Sequence, residues 1–407
     1  MQKLKGMKDW FGYDAKLLQI VRNKLTNLLT NFNYSYVEFP IMEEIELFKR
    51  SSGEESDIVN KEMYEFNSKS GKKIALRPEG TAPFIRMFEE NKLINIDRFN
   101  KYWYFGSMFR YEQPQKGRYR QFIQAGIENI SNIDAYTDAE TITLANNFLK
   151  SLKINEYDLL INNIGTIKER ETYAKELKKY LEKYKDKLEK ESLSRLEKNV
   201  LRILDDKNEQ VKDFIKNCPK IDKYLSKESR EYFEKIKTIL TKNNISFRVD
   251  FNLVRGLDYY ENLVFEFVST SKSLGAQSTI LAGGRYKNFL NTKTFESAIG
   301  WAAGIERLIE ILKFNNYPID DQLDNLVFIL NEDEIDEAYI IANQLRKTEK
   351  CEVINKVIKI NKMFKMASAI KPKNIIFKEL QNGIKTWIQK DQENGKINKI
   401  CWKNKEK

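Results

Sequence analysis

The chain has 407 residues and no histidine; that length supports two or three domains around a large core. Without imidazole or a cysteine cluster, Ser–His and Cys–His triads and zinc catalysis are excluded. The formal charge of +11 is uneven: residues 341–407 carry 17 Lys/Arg against 6 Asp/Glu, while the two signs balance over 1–340. A basic final segment fits a polyanionic partner, through counterion release, or a solvated lysine-rich surface.

Scarce Gly and Pro (17 and 7) argue against long flexible linkers. No uninterrupted apolar run has membrane-spanning length, and the N-terminal MQKLKGMKDWFGYD lacks the apolar core of a secretory signal. Cys218, Cys351 and Cys401 have no metal-ligand spacing and read as free thiols in a reducing compartment. The expectation is a soluble cytoplasmic protein with no membrane contact.

In chain order, residues 14–32 carry apolar residues at helical spacing, and 34–40 form a strand ended by Pro40. In GKKIALRPEGTAPFIRMF a strand meets a tight turn at Pro78–Gly80. A helix then begins near Thr81, a candidate cap, with Pro83 in its first turn. Such a turn can present Glu79 and Thr81 into a pocket or merely end a strand. Phe109–Glu128, FRYEQPQKGRYRQFIQAGIE, reads as a hairpin around Pro114 and Gly117. Trp103 and Phe105 alternate with polar residues before it, and Phe122, Ile123 and Ile127 after it. It would hold Arg110, Arg118 and Arg120 in one row, and guanidinium grips phosphate oxygens two at a time. Solvated surface charges are the plain alternative.

A capped helix follows over SNIDAYTDAETITLANNFLKSL, then a strand over KINEYDLLINNIG. Residues 166–242 turn dense in Lys and Glu at helical spacing, which predicts an inserted helical domain; 171–198 also has a coiled-coil look. Strands return at 245–270 and 278–290, where Gly283 and Gly284 permit a turn or a close backbone approach. SAIGWAAGIERLIEIL (297–312) is a strand running into a helix, with Arg307 near the helix start. From 325, strand, helix, strand, helix, strand, strand predicts a small separate α/β domain.

Six strings, in this order and spacing, carry a family resemblance: LRPEGTAP (76–83), FRYEQPQKGRYRQF (109–122), NVLRILDDK (199–207), LVRGLDYY (253–260), GGRY (283–286) and IGWAAGIERL (299–308). Together they resemble histidyl-tRNA synthetase, a class II aminoacyl-tRNA synthetase, over nearly the whole chain. The resemblance implies an α+β fold with an antiparallel-sheet catalytic core (1–165 and 243–320), a helical insertion (166–242) and a C-terminal α/β anticodon-binding domain (325–407). It implies ligation of L-histidine to tRNA(His) through a histidyl-adenylate, with ATP and Mg²⁺ and no metal ligands that can be named. A homodimer is implied through a class motif over Pro40–Arg50. A catalytically silent paralogue, sensing histidine or regulating histidine biosynthesis, is the alternative.

By the same resemblance, Arg110 holds the α-phosphate beside the substrate carboxylate, and Glu112 lies near adenine. Arg118 and Arg120 line the outer phosphates, Arg307 grips the γ-phosphate, and Arg255 is the catalytic arginine. Glu79, Gly80, Thr81 and Gln124 surround the α-ammonium; Glu128 and Tyr260, with Tyr259 nearby, take the imidazole. A carboxylate and a phenol can engage both ring nitrogens. The chain departs from the family pattern at Tyr111 and Ile123, where histidine is frequent, at Asn262–Leu263, Gln113 and Lys287.

Overall fold

The computed structural model describes residues 1–52, 58–254, 259–275, 278–290, 292, 294–381 and 383–400. The chain divides into two compact units, Met1–Tyr317 and Pro318–Lys407.

In the first unit the described residues form an eight-stranded sheet. Its order is Ser35–Tyr36, Lys101–Phe109, Gln121–Ile130, Ser297–Gly304, Thr279–Lys287, Tyr260–Ser269, Tyr157–Asn163 and Arg248–Val249. All neighbours are antiparallel except the two short outer strands, which pair in parallel. The expected strand over 34–40 is only Ser35–Tyr36, because Val37 passes into loop after its N–H meets the Trp103 carbonyl at 2.9 Å. Strand 121–130 becomes a run of buried residues from Gln124 onward, since the sheet is covered on both faces there. Tyr102, Tyr104, Met108, Tyr259, Tyr260 and Tyr286 share one buried cluster with Phe84 and Phe88 of the helix Thr81–Glu90. The core is therefore rich in phenols, and it lies directly beneath the site.

Gly283 and Gly284 do not turn the chain. They lie within the Thr279–Lys287 strand, where a Cβ at Gly284 would meet the Leu263 carbonyl at 2.5 Å and the Tyr260 ring at 3.0 Å.

Residues 171–198 are not a coiled coil. The helix Ile167–Leu181 gives way to a 3-10 stretch over Glu182–Lys187, and a new helix runs over Lys190–Lys198. Tyr184 breaks the helical backbone and stacks on Phe214 with ring centres 4.9 Å apart. Tyr173, Leu177, Leu181, Leu196, Ile203 and Ile215 close into a local core, so the apolar stripe is used up within the insertion.

The second unit is a five-stranded sheet among the described residues, ordered Cys351–Val357, Asn325–Ile329, Asn374–Gln381, Ile384–Asp391 and Ile397–Lys399. Strand alternation sends Val327 and Ile376 to the helix Ile335–Leu345, and Leu326, Phe328, Ile375 and Phe377 to the helix Ile360–Ile370. Cys218 and Cys351 are buried free thiols; Cys401 lies outside the described residues.

Candidate active site

A cavity of about 300 Å³ opens over the middle of the large sheet, lined at one end by Glu79, Thr81, Gln124, Glu128, Tyr259, Tyr260 and Tyr286. Its other end is lined by Arg110, Glu112, Arg118, Tyr119, Glu306 and Arg307.

The first end is built on the turn before the helix Thr81–Glu90. The Glu79 carboxylate accepts the Thr81 and Ala82 N–H groups at 2.7 and 2.8 Å, so a residue outside the helix satisfies its first donors. Thr81 was expected as the cap. It is instead the first helical residue, and its Oγ1 donates to Glu128 Oε1 at 2.8 Å. The Gly80 N–H donates to Gln124 Oε1 at 2.9 Å. Glu128 is 1% exposed, and Tyr286 OH donates to its Oε2 at 2.7 Å. Gly300 makes room for that carboxylate: a Cβ there would stand 2.3 Å from Oε2.

Burial pushes Glu128 up to about 8, against the hydrogen bonds from Tyr286 and Thr81, with the nearby Glu79 charge adding to the rise. Glu79 is also raised by burial, opposed by the Ala82 and Thr81 amides and by Arg110. Two buried acids in one pocket form a site short of positive charge.

The second end is short of negative charge. Arg307, on the helix Ile305–Phe314, is held down to about 10 by burial and by repulsion from Arg118 and Arg110. Its Nη1 donates to the Thr279 carbonyl and its Nε to the Gly117 carbonyl at 3.4 Å. Gly117, at φ +72°, turns the hairpin loop back to that contact. Arg110 Nε is fixed by the Pro78 carbonyl at 2.8 Å, with the guanidinium 5.3 Å from the centre of the Phe122 ring. Arg118 pairs with Glu112.

Arg120 departs from its expected position. It does not line the cavity; its guanidinium lies 4.0 Å from the centre of the Tyr111 ring and its Nε donates to the Glu112 carbonyl at 3.2 Å. A cation over an aromatic face gains about 1 kcal/mol, which with the bond to the Glu112 carbonyl favours this half-buried position. Arg255 lies outside the described residues.

Sequence reasoning did not assign Tyr286 and Glu306 to the site. Tyr286 shares a strand face with Ala282, two pleats away, so alternation from the glycine pair could have found it. Glu306 accepts the Ile123 N–H at 2.8 and 3.1 Å from its two oxygens, and burial raises it to about 7. Ile123 serves this contact through its backbone, so the side chain at that position is not part of the bond. Tyr111 is exposed and packs edge-on to Tyr64 at 5.6 Å. Lys287 pairs with Glu261 at 3.2 Å.

Among the described residues no three His, Cys, Asp or Glu side chains converge on a metal position, and no helix is long and apolar enough to cross a membrane.

The family model for histidyl-tRNA synthetase matches residues 6–308. A histidine–tRNA ligase of Mycoplasmopsis pulmonis is 46% identical over 94% of this chain and 90% of its own length. One of Mycoplasma mobile is 44% identical over 99% of this chain and 88% of its own. The apo histidyl-tRNA synthetase of S. aureus superposes with a TM-score of 0.79 at 30% identity, covering 98% of this chain and 97% of that one. Cavity, motifs and relatives agree: the chain belongs to the histidyl-tRNA synthetase family.

Proposed function

We propose that the chain ligates L-histidine to tRNA(His) at the expense of ATP. Glu128, held between Thr81 and Tyr286, carries this reading. It is a buried acceptor matched to an imidazole N–H, at one end of a cavity whose other end is a row of guanidiniums. A pocket of this kind rejects amino acids that leave its polar groups unpaired.

The α-ammonium meets Glu79, with Thr81 and Gln124 beside it and Gly80 shaping the turn; Glu128, Tyr260 and Tyr259 receive the ring. A carboxylate oxygen of histidine then forms a bond to the α-phosphorus of ATP while the bond to the bridging β-oxygen breaks. Pyrophosphate leaves, and histidyl-adenylate remains. The 3′-terminal hydroxyl of tRNA attacks the acyl carbon, AMP departs, and the hydroxyl proton leaves with the products. The first step needs positioning and charge neutralisation more than an acid–base pair. Arg110 spans the carboxylate and α-phosphate, Arg118 and Arg307 hold the outer phosphates, and Glu112 lies near adenine. Arg255 keeps the catalytic role the resemblance gives it, stabilising charge on the α-phosphate. Arg120 braces the hairpin from outside through Tyr111.

Mg²⁺ fits as an ion carried by the phosphates, since it keeps several waters and needs only one or two carboxylates. Glu306 and Glu112, which line the cavity, would be those carboxylates; the ion would supply neutralisation of the leaving pyrophosphate. We assign the catalytic core to 1–165 and 243–320, the insertion to 166–242 and anticodon binding to 325–407. The active form is a cytoplasmic homodimer. Histidine-dependent ATP–pyrophosphate exchange by the purified protein tests the first step, and charging of tRNA(His) the second. Absence of exchange in folded protein would overturn the reading.

A further inference from the structure

Tyr260 lies between two cavities. Besides the main one, Tyr260 borders a smaller cavity of about 200 Å³, bounded also by Arg170, Asn162, Tyr173 and Val254. Tyr260 opens its strand, and on one side it lies beyond the end of the regular ladder. The ladder to Tyr157–Asn163 stops at Asn163 opposite Leu263, short of Tyr260. A backbone carbonyl beyond a ladder's end needs another donor if it is not to lie buried and unpaired.

That donor comes from the helical insertion. Arg170, half-buried one turn into the helix Ile167–Leu181, donates from Nη1 to the Tyr260 carbonyl. The start of this helix is tied to the same strand. Ile164 N–H donates to the Asn262 carbonyl at 2.7 Å, and Asn262 N–H to the Gly165 carbonyl at 3.0 Å. Thr166 and Glu169 form a capping box that fixes the first turn. Arg170 thus projects from a rigid point two residues along the strand from the tyrosine whose carbonyl it holds.

We propose that Arg170 is a positioning residue for amino-acid selection. Its charge-assisted bond to the main chain holds the Tyr260 phenol against the imidazole. The inference rests on the reading of Tyr260 as an imidazole contact. It makes the insertion part of the device that recognises the amino acid, although no insertion residue lines the main cavity.

Pyrophosphate exchange by the full chain, with KM measured separately for histidine and ATP, tests this. Arg170→Ala is expected to raise KM for histidine roughly tenfold, the scale of one charge-assisted hydrogen bond, with KM for ATP changed less than about twofold. Arg170→Lys, which restores a charge and a single donor, recovers part of the loss. A merely structural role would lower the melting temperature without separating the two KM values. Should Arg170→Ala not fold, Arg170→Met keeps the apolar stem without donors and decides on the same comparison. Equal rises for both substrates, or an unchanged histidine KM, overturn the proposal. Tyr260→Phe separates the two failures. If it raises histidine KM while the Arg170 variants do not, the positioning role alone falls. If it leaves histidine KM unchanged, the contact falls and the positioning role with it.

Discussion

Thr81 Oγ1 donates to Glu128 Oε1 at 2.8 Å, across a sequence separation of 47 residues. The first residue of one helix therefore orients the acid in the middle of a strand. Removing the hydroxyl by Thr81→Val leaves one Glu128 oxygen without its donor in a buried setting. Histidine KM in pyrophosphate exchange is expected to rise about tenfold, with ATP KM little changed, for the loss of one such bond. Equal changes in both constants would contradict the division of the cavity.

Arg307 is half-buried, and desolvation together with repulsion from Arg118 and Arg110 outweighs the pull of Glu266 and Glu306, an arrangement that costs stability while the cavity is empty. Arg307→Met, which keeps the stem, is expected to leave the melting temperature unchanged or raise it, and to increase ATP KM by at least about tenfold. A large fall in melting temperature with normal ATP KM would show that the guanidinium serves the fold instead.

The pH dependence of stability follows from Glu128, raised to about 8 from an ordinary 4.5. The groups facing it are Glu79, Thr81, Tyr286, Tyr104, Tyr259 and Tyr260; burial raises Tyr104, Tyr259 and Tyr286, which stay neutral in this range. The folded protein binds a proton that the unfolded chain has already released. Its stabilising effect is present in full below about pH 4.5 and is lost as pH rises through about 8. Melting of the protein without substrates should therefore fall between pH 6 and 8.5. Glu128→Gln should flatten that slope, and an unaltered slope in the variant would assign it to other groups.

Because Met1–Tyr317 and Pro318–Lys407 are separate compact units, a chain ending at Tyr317 is expected to fold and to keep histidine-dependent pyrophosphate exchange. Charging of tRNA(His) should drop by two orders of magnitude or more, on the order of the loss of several phosphate contacts. Undiminished charging would remove the anticodon-binding role from the second unit.

The sequence was informative where the signal is local. The hairpin, the Glu79 turn and the Arg307 helix announce themselves through alternation, Pro–Gly punctuation and helical spacing. Positions set by distant packing were not legible. Glu306 matters because the Ile123 amide reaches it from the strand Gln121–Ile130, and Arg120 stays off the cavity lining with its guanidinium over the Tyr111 ring. The strand Ile397–Lys399 escaped notice because all three of its residues are exposed and carry no periodic signal. Thr81 was misread as a cap because a hydroxyl before a helix usually serves its own backbone, whereas here a buried acid competes for it.

The Ile123 amide, which binds Glu306 without help from its side chain, has a spectroscopic consequence. The chain spends no imidazole on this contact or anywhere else, having no histidine at all. In a saturated complex the bound amino acid contributes every imidazole signal present. The ring carbons and nitrogens of isotope-labelled histidine can then be followed by NMR through a pH titration with no imidazole of the protein beside them. Tautomer and charge of the substrate become directly readable in the pocket, and the experiment shows whether a proton lies between ring and Glu128.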